Sequence, residues 1–210
     1  QAEDNLTLSL NVPQIKECDA SLQYSSHNLD PGESAPNSFE VENIGNTEWT
    51  VTANAQSLDG DDISGWVDFD SPLSRLLEEP GSSEDSHTFT FDVTPDDSLE
   101  AGTQVAIGIQ GRAGSEIGCE KILTVTVGQE FGASMSLSKS RLSNVEPGTS
   151  GTLSIQITNQ GNGQETMALG TSGVPPGWQV SFSQSTVTLG SSQSSNNKET
   201  VSVDIFVPED

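Results

Sequence analysis

The chain has 210 residues, 31 of them acidic and 7 basic, with a net charge of −24 and a hydrophobic content of only 31%. A field of that sign repels phosphate backbones and anionic lipid, which excludes nucleic-acid partners and direct membrane insertion from the reading. The charge is uneven: residues 1–128 carry 24 acidic and 4 basic side chains, net −20, whereas residues 129–210 carry 7 and 3, net −4.

Taken in order, residues 5–12, "NLTLSLNV", alternate apolar and polar and read as a strand that Pro13 ends. A strand over 20–25 follows, then a Pro31-Gly32 turn, a strand over 38–42 and, after a turn at 43–46, a strand over 48–55. Residues 57–65 are a loop, 66–70 a short strand, and 72–81, "PLSRLLEEPG", one or two helical turns stopped by Pro80-Gly81. Strands are expected over 87–94, 103–110 and 121–127. Beyond them lie strands over 133–138, 152–158, 164–170, 178–183 and 200–207, with a polar loop over 191–197.

The organising feature is a repeat. "LDPGESAPNSFEVENIGNTEWTV" (29–51) returns as "VEPGTSGTLSIQITNQGNGQETM" (145–167), each with a Pro-Gly turn, an alternating run and Asn-x-Gly-Asn. Pro31 and Asn43 are 12 residues apart, as are Pro147 and Asn159. Two turns at fixed separation around an alternating strand mark a hairpin unit, and its recurrence marks tandem domains. Gly65-Trp66 matches Gly177-Trp178, and "FDVTPDD" (91–97) matches "IFVPED" (205–210). The first repeat then runs on for two strands, "TQVAIGIQ" and "KILTVTV", that the second lacks. At the other end "LTLSLNV" (6–12) resembles "LTVTVGQ" (123–129), the close of the first repeat. The frame expected is therefore residues 1–12 as the closing strand of a preceding repeat or as a donor strand carrying Leu6, Leu8, Leu10 and Val12. Residues 13–128 then form one immunoglobulin-like domain and 129–210 a second, incomplete one. The fold class expected is all-β, two tandem immunoglobulin-like β-sandwiches, the second without its last strands. Regular alternation and three tryptophans argue against a disordered acidic chain.

Cys18 and Cys119 fall near the opening and closing strands of the first repeat, without CxxC spacing or a nearby histidine pair. Such strands can lie side by side, so the two are either a disulfide or two separate buried thiols. A disulfide would close a loop worth up to about 4–5 kcal/mol in the chain-entropy model and would point to an oxidising compartment. Asp59, Asp61, Asp62, Asp68 and Asp70 in "LDGDDISGWVDFD" suit an oxygen-rich Ca²⁺ site, though the spacing is not that of an EF-hand; the plainer reading is a solvated acidic loop. No other cofactor is implied. Asn5-Leu6-Thr7 is a glycosylation sequon, falling on an expected strand. Trp66 and Trp178, at equivalent positions, read as core; Trp49, matched by Glu165, reads as a half-buried strand aromatic. His27 and His87 have no nucleophile motif around them, so no enzyme is expected.

The pattern "PGTSGTLSIQITNQGN", then "GVPPGWQVSFSQSTVTLG", then a strand ending in "VP" resembles the alpha-galactosidase-associated NEW3 and CARDB-like immunoglobulin-like modules of bacteria and archaea. The resemblance is good over 145–208 and weaker over 29–95, and the 57–81 insertion and the cysteines depart from it. It implies an extracellular or cell-surface place, as spacer, stalk or accessory domain, with no catalytic residues to carry over. The low Lys and Arg content is similar to that of marine or halophilic archaeal surface proteins. The expected function is a structural module assembling by strand pairing and domain packing. Its partners would be protein, through head-to-tail self-association or neighbouring modules of the same chain. The alternative is a carbohydrate-binding or Ca²⁺-dependent adhesive module.

Overall fold

A computed structural model describes residues 8–209. It contains fifteen strands, and among the described residues no helix. They divide into two compact units, Gln1–Pro95 with Gln104–Thr126, and Asp96–Thr103 with Val127–Asp210.

The first unit is a complete two-sheet sandwich. One sheet has the order β1 (Cys18–Leu22), β3 (Ala35–Asn43), β7 (Ser86–Val93), β5 (Val67–Phe69). The other has the order β2 (Ser26–Leu29), β9 (Glu116–Val127), β8 (Gln104–Ala113), β4 (Trp49–Ser57), β6 (Ser74–Leu77). Alternation along each strand turns every second residue inward. Phe39 and Val41 of β3 and Phe89, Phe91 and Val93 of β7 are buried from one sheet. Val51 of β4, Ile107 and Ile109 of β8, and Leu123 and Val125 of β9 meet them from the other. Each fully buried side chain of this kind is worth about 1.5–3 kcal/mol, which is how a chain only 31% hydrophobic still holds a core.

The second unit repeats the plan over fewer strands among the described residues. Its larger sheet has the order β10 (Ala133–Leu137), β11 (Ser150–Asn159), β15 (Lys198–Phe206), β13 (Gln179–Phe182); the facing sheet is only β12 (Glu165–Ala168) and β14 (Thr186–Leu189). The register matches the first unit: Ile155 lies opposite Val201 as Phe39 lies opposite Phe89, and Glu165 opposite Leu189 as Trp49 opposite Leu77. Strands corresponding to β8 and β9 do not occur among the described residues of this unit. The buried core shrinks to Ile155, Ile157, Val187, Leu189, Val201 and Val203. The architecture is thus two tandem immunoglobulin-like β-sandwiches, the second without counterparts of β8 and β9 among the described residues.

Four expectations are corrected. Residues 8–12 form no strand; Leu8, Leu10 and Val12 stand in solvent, 90%, 85% and 62% exposed, and a single extended segment without a partner has nothing to pair its backbone with. Residues 72–81 are not helical: "SRLL" becomes β6, which pairs along β4 and buries Leu77 opposite Trp49, a gain no two-turn helix bracketed by prolines could match. Trp49 is fully buried rather than half-buried. Trp178 is 39% exposed where its counterpart Trp66 is buried. Two short strands, β2 and β14, were also not expected; four residues give too little alternation to register.

Candidate functional site

The repeated Asn-x-Gly-Asn is a clamp as well as a turn. Asn159 is buried; its Nδ2 donates to the carbonyls of Gly163 (2.7 Å) and Gly190 (2.8 Å), and its Oδ1 accepts from the Gly161 amide (2.8 Å). Asn43 does the same in the first unit, towards Thr47 O, Glu78 O and the Gly45 amide. The second asparagine of each motif holds the chain entering its unit. Asn46 Oδ1 accepts from Ile15 N and its Nδ2 donates to Pro13 O; Asn162 Oδ1 accepts from Glu130 N and its Nδ2 donates to Gly128 O. The glycine between them is required sterically, since a Cβ on Gly45 or Gly161 would collide with the carbonyl oxygen of Ile15 or Glu130. In the second unit the segment Asp96–Thr103 joins this clamp: Asn162 Nδ2 also reaches Leu99 O (3.2 Å), and Ser191 Oγ donates to Glu100 (2.7 Å). Asp96 in that segment accepts two hydrogen bonds from Ser98, which hold its carboxyl below the usual range.

The acidic loop of the first unit is ordered by its own carboxylates. Asp59 accepts from the Ala106 amide (3.0 Å), Asp62 from the Ser64 amide (2.9 Å), and Asp70 from Thr90 Oγ1 (2.5 Å). Asp61, Asp62 and Asp68 line one shallow depression of about 630 Å³ with Ile63, Val67 and Phe69; Asp59 and Asp70 are not in its lining. Asp68 sits directly across from Asp92 in the β5–β7 register, a like-charge pair. Among the described residues no three His, Cys, Asp or Glu side chains converge on one point as metal ligands would. The sequon at Asn5, and Leu6 of the proposed donor strand, lie outside the described residues.

Cys18 and Cys119 are bonded, with their Cα atoms 5.2 Å apart. They do not belong to neighbouring strands: β1 and β9 lie in opposite sheets, so the disulfide staples the sandwich across its core. The Trp49 ring packs beside it, leaving so little room at Gly118 that a Cβ there would sit 2.8 Å from the indole Cη2. The indole N–H donates to Asn43 Oδ1 (3.0 Å), tying this core to the clamp. The second unit has Glu165 at the tryptophan position and no disulfide. His27 stands nearer the surface, its Nε2 3.2 Å from the Asn37 amide nitrogen, and burial pushes its pKa down; His87 is shifted the same way by burial and by Arg75.

The most distinctive surface is the open flank of the second unit. Met135 and Leu137 of β10 lie opposite Ile157 and Ile155 and so face the interior, yet they are 71% and 58% exposed. The corresponding Ala20 of the first unit is buried. Two adjoining hollows of about 440 and 420 Å³ share Leu137, Leu153, Trp178 and Ile205 in their linings. Lys139 and Arg141 stand in the first of them, and neither hollow has a carboxylate in its lining. The shorter second repeat was legible in the repeat alignment; this basic, apolar hollow was not, because its residues come from four separate stretches of chain.

No family model and no curated protein matches the chain. Among solved structures it is similar to PapD-like domain 7 of human CEP192, an ASH/PapD-like domain, at 17% identity and a TM-score of 0.35, over 60% of this chain and 96% of that one. It is also similar to domains 5–6 of the S-layer protein SbsC, at 15% identity and a TM-score of 0.32, over 91% and 84%. A chaperone–tip adhesin complex of CFA/I fimbriae follows at 11% identity and a TM-score of 0.33, over 91% and 83%. Among the described residues no helix is long and apolar enough to cross a membrane.

Proposed function

We propose that this chain is a non-catalytic structural module of an extracellular surface protein or filament, assembling with other protein through β-strand pairing and domain packing. The observation that carries the reading is the tandem repetition of one sandwich plan, built from paired strands in both units. Such sheets associate with other protein by adding strands at their edges and by packing apolar faces. The cross-sheet disulfide fits an oxidising compartment outside the cytosol. The resemblance to NEW3 and CARDB-like modules points to the same place, and the acidic surface keeps such a module soluble and separated from its neighbours.

Antibodies raised against the purified chain test this on intact cells of the source. Labelling of the outer envelope is the expected result; labelling that requires permeabilised cells overturns it. A second reading, as a Ca²⁺-dependent adhesive or carbohydrate-binding module, draws on the placement of Asp61, Asp62 and Asp68 around one depression. Calcium titration followed by thermal melting decides it: a chelator-reversible rise in Tm favours adhesion, and an unchanged Tm removes it.

A further inference from the structure

We propose that the seam of the first unit between β4 and β5 takes up an extended strand of another protein, one that alternates apolar side chains with Lys or Arg. The proposal rests on the structural-module reading and names its partner. β4 pairs with β8 over Thr52–Ser57, but its pairing with β6 ends at Thr52, and Ala53 N donates to Leu73 O as the last bond on that side. Leu58 N donates to Ala106 O, so the even-numbered residues of this stretch turn their backbone groups towards β8 and the odd-numbered ones away from it. Ala55 and Ser57 therefore direct N–H and C=O to a side where no strand pairs with them among the described residues. β5 is the last strand of its own sheet and is bonded to β7 on one side only. These two free edges, one from each sheet, line the same hollow of about 630 Å³.

The lining of the hollow sets what such a strand must carry. Ala53 and Ala55 of β4 face it from one sheet, and Val67 and Phe69 of β5 from the other. The small side chains on β4 leave the room, and Val67, Phe69 and the exposed Leu73 offer apolar surface still to be covered. A strand laid along β4 turns every second side chain onto this floor and the others outward. Asp61, Asp62 and Asp68 stand exposed around the floor, and no Lys or Arg lines the hollow. Asp68 already faces Asp92 across the β5–β7 register, a like-charge pair that a cation beside it would relieve. The same carboxylates decide against a second copy of this chain. Residues 1–128 have a net charge of −20, and charge placed at a free edge keeps like surfaces from pairing there. A basic strand gains from those carboxylates what an acidic one loses.

The test is calorimetric titration of the full chain with a short synthetic peptide alternating valine and lysine, in the presence of a chelator. Amide hydrogen exchange is followed on the same complex. The expected result is saturable binding that added salt weakens, with slowed exchange at Ala55 and Ser57. Asp61→Asn with Asp68→Asn should weaken binding roughly tenfold, through the loss of two surface ion pairs. Ala55→Pro removes the edge N–H, leaves the carboxylates in place and should abolish binding. Because proline can also distort β4, a peptide of the same composition with its valines and lysines in two blocks serves as an independent control. That peptide should protect neither amide. Equal binding of both peptides, or binding without protection of Ala55 and Ser57, means charge attraction alone and overturns the proposal. No binding overturns it equally. So does self-association of the chain that protects those amides, since a second copy would then be the occupant. The chelator keeps the calcium reading out of the measurement, and none of these outcomes alters cell-surface labelling, so the readings fail separately.

Discussion

Asn159 shows how much a single side chain holds. It is fully buried and satisfies two carbonyls and one amide that would otherwise lie in the interior without partners. An unmade hydrogen bond at a buried backbone group costs about 1–3 kcal/mol. Asn159→Ala should therefore destabilise the second unit by at least about 2 kcal/mol, read as a lowered urea midpoint for that unit while the first is unchanged. His27 makes a pH prediction at the same scale. Its Nε2 accepts from Asn37 and its pKa is lowered by burial, so the neutral ring is the folded form. The unfolded chain binds the proton more readily, so stability is full above the ordinary histidine pKa and is lost as pH falls through and below it. Melting of the first unit between pH 7.5 and pH 5 should show that decline, and His27→Gln should flatten it.

Among elements, the contrast between the two units separates what a sandwich needs from what it can omit. In the first unit β1 and β9 are in different sheets, and the disulfide between them closes a separation of 101 residues. Reducing it should cost that unit about 2–5 kcal/mol while the second unit melts as before. Calorimetry with and without reductant checks this, two transitions being resolvable only if the units unfold independently. The second unit has no such staple. The helix expected over residues 72–81 failed for a related reason: with β4 presenting an edge and an inward Trp49, pairing Leu77 there outweighs a two-turn helix.

For the whole molecule, charge sets the behaviour. Residues 1–128 have a net charge of −20 and residues 129–210 only −4, and Asp68 faces Asp92 across two strands of the first unit. Salt should therefore raise the melting temperature of the first unit far more than that of the second, with most of the gain reached once the Debye length falls to about 10 Å near 0.1 M. Equal shifts in both units would mean that the acidity is carried without cost to folding.

Much of this was legible in the order of residues. Alternation gave the main strands, the repeated Pro-Gly and Asn-x-Gly-Asn turns gave two tandem sandwiches, and aligning the copies showed that the second lacks two strands; each is a local periodicity, and local periodicity survives in one dimension. Tertiary structure alone decided the rest. It placed Cys18 and Cys119 in opposite sheets and closed Asn43 and Asn159 around carbonyls 4 to 35 residues away. It buried Trp49, left Trp178 half in solvent, and gathered Lys139, Arg141 and the exposed apolar residues around one flank. Those outcomes depend on which surfaces remain uncovered after the strands have paired, and coverage is a property of three-dimensional packing that no single stretch of sequence contains.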